Sequence, residues 1–146
     1  METRFLMEEV NPTGYAGMFA LEKAQASSSI DPVLKELIKI RASQMNGCVF
    51  CLNMHTKDAR QNGETEQRIY ALSAWREAPF YTEKERTVLA LTEAVTRIAD
   101  AGLPDDVYNE ARAHFSEAET AELIMLVVTI NAWNRIAVAT RKIPAN

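Results

Sequence analysis

The chain has 146 residues, 47% of them hydrophobic and 25% charged, with a formal net charge of −4. This is the size and composition of one globular domain, able to build a core without metal or disulfide staples. Its lysines and arginines are scattered among the acids, which excludes the basic stripe that neutralises phosphates, so no nucleic-acid partner is expected.

Residues 1–10 set Phe5, Leu6 and Met7 among Glu2, Arg4, Glu8 and Glu9. They lack the basic start and the roughly 7–15-residue apolar stretch of a signal peptide, so the expected localisation is cytoplasmic. A first helix opens at Asn11-Pro12, carries Met18, Phe19 and Leu21, and passes Ala26 to a polar stop at Ser27-Ser28-Ser29. Asp31 followed by Pro32 is a cap with proline in the first turn, and that helix continues through Glu36 and Gln44 until Asn46-Gly47 ends it. Cys48 starts the next helix, which runs to Asn62-Gly63.

Thr65 to Ala74 is predicted helical, and Pro79 interrupts the chain. Thr82 with Glu85 forms a capping box, followed by Val88, Leu89, Leu91, Val95 and Ile98 at helical spacing as far as Gly102. Pro104 starts a short helix toward Arg112. Ser116 with Glu119 is a second capping box, leading into a segment from Leu123 to Val138 that is apolar on nearly every side. Such a helix is either the centre of the core or part of a subunit interface. Its longest unbroken apolar run, Leu123 to Val128, is far short of the roughly 20 residues that cross a bilayer, so no membrane segment is expected. Strand signals are weak throughout. The expected fold class is all-α, a single domain over residues 1–146.

Chemistry concentrates at Asn46-Gly-Cys48-Val-Phe50-Cys51-Leu-Asn-Met-His55. Two cysteines placed at random in this chain would fall three apart about once in 75 trials, and in a reducing compartment a close pair reads as catalytic or metal-binding. On a helix Cys48, Cys51 and His55 share one face. Cα atoms three apart lie about 5 Å from each other, so the thiols can close to a disulfide and reopen. Gly47 leaves room for close backbone approach. The unpaired N–H groups of the first turn favour thiolate, most of all at Cys48, and His55 can take the thiol proton or stabilise the anion.

Other readings stay open. The cysteines can be small core residues, and Cys48, Cys51 and His55 can serve as zinc ligands, although a closed zinc site wants a fourth. Trp75, Trp133 and the methionines read as packing, and His114 has no evident role. Glu36 projects with Lys35, Lys39 and Ser43, away from Leu34, Leu37 and Ile38, so periodicity alone makes it a solvated surface carboxylate.

Glu36, eleven residues, then Cys48-x-x-Cys51-x-x-x-His55 resembles the active-site motif of the AhpD-like alkylhydroperoxidases within the carboxymuconolactone decarboxylase family. Lys39-Ile-Arg-Ala-Ser-Gln-Met before it, and Trp75-Arg-Glu-Ala-Pro79 with Thr82 to Val95 after it, are similar to the same family, so the resemblance covers roughly residues 12–140. It implies an AhpD-like helical-bundle subunit assembled into homo-oligomers, trimers or hexamers, and a thiol-dependent peroxidase of antioxidant defence with no bound cofactor and no metal. Cys51 would attack the peroxide, Cys48 would resolve the sulfenic acid, and Glu36 with His55 would relay protons. The implied partners are a hydroperoxide substrate and an external dithiol or disulfide reductant. Some relatives carry a histidine between the cysteines; this chain has Phe50, whose ring makes organic hydroperoxides the expected substrates. Two alternatives accompany this reading: the lactone decarboxylase activity of the wider family, and a non-enzymatic oligomeric module holding zinc.

Overall fold

The computed structural model describes residues 1–144, and among them all regular structure is helical: α1 (Met7–Val10), α2 (Pro12–Gln25), α3 (Pro32–Asn46), α4 (Val49–Gln61), α5 (Glu66–Ala71), α6 (Glu83–Thr96), α7 (Ile98–Ala101), α8 (Asp105–His114) and α9 (Glu117–Thr140). A 3-10 turn, Leu72–Ala74, extends α5. The local signals operate as expected. Asp31 accepts from the Val33 amide ahead of Pro32, and both capping boxes close reciprocally, Thr82 with Glu85 and Ser116 with Glu119. Each cap satisfies amides that the first turn of a helix otherwise leaves unpaired.

Elsewhere the helices differ from expectation. The helix predicted to continue to Gly102 breaks at Arg97, whose backbone leaves the helical region (φ −103°, ψ 39°), and resumes as the single turn α7. Ile98, which prolonged the apolar period, is exposed and has no core to enter. The four-residue α1 was not anticipated by any cap or period.

The 24-residue α9 is the central helix, touching α2, α3, α4, α6 and α8. Leu123, Leu126, Val127 and Ile130 are buried against Ile38, Ala42, Val88 and Leu91, and the two cysteines belong to the same cluster. A second cluster gathers Leu37, Ile40, Leu72, Trp75 and Leu89 on the other side of α3. The core-helix reading of the Leu123–Val138 segment therefore holds, with Met125, Val128 and Val138 left exposed. By length and composition α9 could cross a membrane, but half of its most apolar stretch is buried in this core. Trp75 packs as expected, its indole nitrogen tethered to Glu93, which also pairs with Arg41 and Arg76.

A polar network pins the end of α3 to α9. Asn46 Nδ2 donates to Asn131 Oδ1 and to Asn134 Oδ1, both at 2.9 Å, while Asn134 Nδ2 donates to Ser43 Oγ at 2.9 Å. Asn134 is fully buried. Buried amides are stable only when their bonds are made, so the network fixes how α9 meets the residues just before Cys48. An Asn134→Ala variant strands partners on Ser43 and Asn46. It is expected to lose about 2–3 kcal/mol in urea unfolding, and a loss below about 1 kcal/mol would show that the network does not hold the junction.

Candidate active site

Two adjacent residues, Gly47 and Cys48, cap the end of α3 and the start of α4. Gly47 closes α3 in the left-handed region (φ 65°, ψ 34°), and the Cys48 amide donates to Ser43 O at 3.0 Å, satisfying a carbonyl of the last turn. Nothing lies within 4 Å of where a Gly47 Cβ would stand. The glycine thus serves a backbone conformation that side chains disfavour, and the expected close approach is absent. Cys48 is the N-cap of α4 rather than its first helical residue, and its sulfur accepts from the Cys51 amide at 3.3 Å. A sulfur here takes the place usually held by a serine or aspartate oxygen.

The sulfurs of Cys48 and Cys51 are joined as a disulfide, their Cα atoms 5.4 Å apart. Both residues are nearly sealed, 1% and 2% exposed. They differ in what they face. Cys51 lines a cavity of about 390 Å³ together with His55, Phe50, Met54 and Trp133. Cys48 borders a separate depression, with Val49, Val138 and Ile143 on its wall. Phe50 and Lys142 border both spaces.

His55 stands one turn after Cys51, and its Nδ1 lies 3.4 Å from Glu36 Oε2 across the α3–α4 contact. Here the surface reading of Glu36 is corrected. Its side chain is only 13% exposed, because α4 packs over the flank of α3 that periodicity assigns to solvent. Lys39 Nζ donates to the other carboxylate oxygen at 3.2 Å. Burial pushes the Glu36 carboxyl upward, but the adjoining His55 ring and the Lys39 ammonium outweigh it and hold the group below its ordinary 4.5. The Nδ1 and Oε2 atoms meet as an ion pair, and neither has a hydrogen-bond partner elsewhere among the described residues.

Several cavity residues carry no signal in the motif. Tyr15, Phe19 and Trp133 pack edge to face, with ring centroids 5.3–5.7 Å apart, and form one wall. Trp133 therefore lines the site as well as packing, its indole donating to Glu22 Oε1 at 2.8 Å. Lys142 reaches over Phe50, 5.0 Å from the ring centroid, and is anchored to Glu8 at 2.8 Å. Asp58 also lines the cavity, 3.8 Å from His55 Nδ1. Its place three residues after His55 is a spacing that could have revealed it. His114 lies elsewhere, beside Glu110 at 3.1 Å. The structure thus brings together all four residues of the motif: Glu36, Cys48, Cys51 and His55.

A vicinal cysteine pair at a helix start, with a histidine and a carboxylate on one side and an aromatic cavity beside them, defines an AhpD-like helical protein. The sequence profile of the carboxymuconolactone decarboxylase family matches residues 12–94, and the chain belongs to that family. Among its relatives is the uncharacterised protein YdfG of Bacillus subtilis, 47% identical over 139 residues that make up 95% of each chain. The crystal structure of ATU0492 from Agrobacterium tumefaciens, a protein of unknown function put forward as the antioxidant defence protein AhpD, superposes with a TM-score of 0.96. It is 43% identical over 99% of both chains. The debrominase Bmp8, crystallised with 2,3,4-tribromopyrrole, shares the fold at 22% identity, with a TM-score of 0.81 over 92% of this chain and 72% of its own.

Proposed function

We propose that this chain is a thiol-dependent peroxidase that reduces organic hydroperoxides in antioxidant defence. The observation that carries the reading is that Cys51 opens on the aromatic cavity beside His55, with Cys48 in bonding reach behind it. The Cys51 thiolate attacks the terminal peroxide oxygen, the O–O bond breaks, and the sulfur becomes a sulfenic acid as the alkoxide leaves. Protonation through His55 and Glu36 releases the alcohol. The Cys48 thiol then displaces water from the sulfenic acid and the disulfide forms. An external dithiol closes the cycle by taking the disulfide back to two thiols, becoming a disulfide itself. A reducing cytoplasm would supply such a reductant.

The apolar lining of Phe50, Phe19, Met54 and Trp133 favours a hydroperoxide with a hydrocarbon body over hydrogen peroxide itself, since burial of that body is lost for the smaller substrate. The exposed Met125, Val128 and Val138 of α9 supply the apolar surface for the homo-oligomer, a trimer or hexamer, that this reading includes.

The test is a challenge of fully reduced protein with cumene hydroperoxide. Stoichiometric alcohol, loss of both thiols and a mass lower by about 2 Da are expected, reversed by a dithiol. Thiols that remain intact after the challenge would overturn the reading.

A further inference from the structure

The reaction above employs Glu36 and His55 and leaves Asp58 without a task. His55 Nδ1 and Glu36 Oε2 are shut away from solvent without a hydrogen-bond partner among the described residues, and the His55 side chain is only 9% exposed. Buried polar atoms are ordinarily satisfied by hydrogen bonds, so an ion pair of 3.4 Å that makes none leaves both atoms with lone pairs that one bound ligand could take up together. Asp58 Oδ2 points to the same ring nitrogen, and one atom from each of the three residues lies within 4.8 Å of the others.

The spacing is that of a metal's donor set. With zinc–ligand bonds of about 2.0–2.1 Å, adjacent corners of a tetrahedron are about 3.4 Å apart. The His55 to Glu36 separation is 3.4 Å and the His55 to Asp58 separation is 3.8 Å. Asp58 is half exposed on α4 and free to close the remaining gap by a small side-chain rotation. We infer that Glu36, His55 and Asp58 form a binding site for a divalent transition cation of the zinc class, with the fourth position left to water.

An imidazole nitrogen with two carboxylates suits zinc, whereas calcium and magnesium take six or more ligands, nearly all oxygen. Lys39 holds the second oxygen of Glu36, which orients the carboxylate toward His55, and its charge keeps affinity below that of a structural zinc site. This donor set is different from the cysteine pair with His55 and stays available when the sulfurs are joined. Metal seated on Nδ1 and Oε2 blocks the atoms that pass the proton in the proposed peroxidase cycle, so zinc inhibits turnover. Only that consequence rests on the peroxidase reading.

The experiment titrates zinc into the oxidised, disulfide-closed full chain by calorimetry, and separately into the hydroperoxide assay. One zinc per chain is expected, with calcium and magnesium producing no comparable heat. Asp58→Asn is expected to weaken zinc binding at least about tenfold and to raise the inhibitory zinc concentration by the same factor. His114→Gln removes the only other histidine and should leave binding unchanged. No uptake at millimolar zinc, uptake unmoved by Asp58→Asn, or uptake lost in His114→Gln would each overturn the site. Circular dichroism of the apo variants excludes misfolding as the source of a loss. Zinc uptake by a protein with no hydroperoxide turnover would defeat the peroxidase reading and support the site.

Discussion

A Cys51→Ser variant is expected to lose hydroperoxide turnover by at least about a thousandfold, because a serine hydroxyl is almost entirely un-ionised at neutral pH where a thiol is not. Cys48→Ser should behave differently: one equivalent of peroxide is consumed, and Cys51 then stops as a sulfenic acid that a carbon nucleophile traps. Both variants are designed to fold. Serine is among the best N-cap residues, so at position 48 it replaces the sulfur that accepts from the Cys51 amide at 3.3 Å. At position 51 the hydroxyl can bond a carbonyl one turn back. Steady-state kinetics with intact-mass analysis reads both outcomes. Helix electrostatics taken alone points the other way, toward Cys48 at the helix start as the more acidic thiol. Access is what favours Cys51, which faces the cavity and His55 while Cys48 borders the opposite depression. Stoichiometric oxidation of Cys51→Ser at position 48 would reverse the assignment.

Local chemistry in this chain could be read directly. Asp31-Pro32, Thr82 with Glu85, and Ser116 with Glu119 each place a helix start through contacts within a few residues, and all three operate in the structure. The face shared by Cys48, Cys51 and His55 is equally local. Glu36 is the opposite case. Nothing within α3 distinguishes it from the Lys35 side of the helix, which periodicity assigns to solvent, and its burial arises only when α4 is laid alongside. The resemblance of the motif pointed to it where periodicity did not. Tyr15, Phe19 and Lys142 reach the cavity from elements 30 to 90 residues away in sequence, and the Asn46, Asn131 and Asn134 amides meet across α3 and α9. Contacts of that kind depend on tertiary packing, which a single-sequence period does not encode.

Glu36→Gln carries the second large effect, a fall in kcat/KM for organic hydroperoxide of about a hundredfold, the usual contribution of a positioned acid–base group. Glutamine keeps the shape of the side chain and its contact with Lys39, but it cannot exchange a proton with His55. His55→Gln should cost a similar factor. If the two act as one relay, the double variant is no slower than the slower single one, whereas independent roles would multiply the losses. The ionisation of Glu36 supplies a second readout. Its carboxyl lies below the ordinary 4.5, so the pairing with Lys39 and His55 adds stability that is fully present above that value and disappears as pH falls through the lower folded pKa. The melting-temperature gap between wild type and Glu36→Gln should therefore narrow as the solution is acidified. A gap that widens with acid would mean that Glu36 is held neutral in the native protein. Activity within twofold of wild type would remove the carboxylate from the reaction and leave the proton transfer to His55 without Glu36.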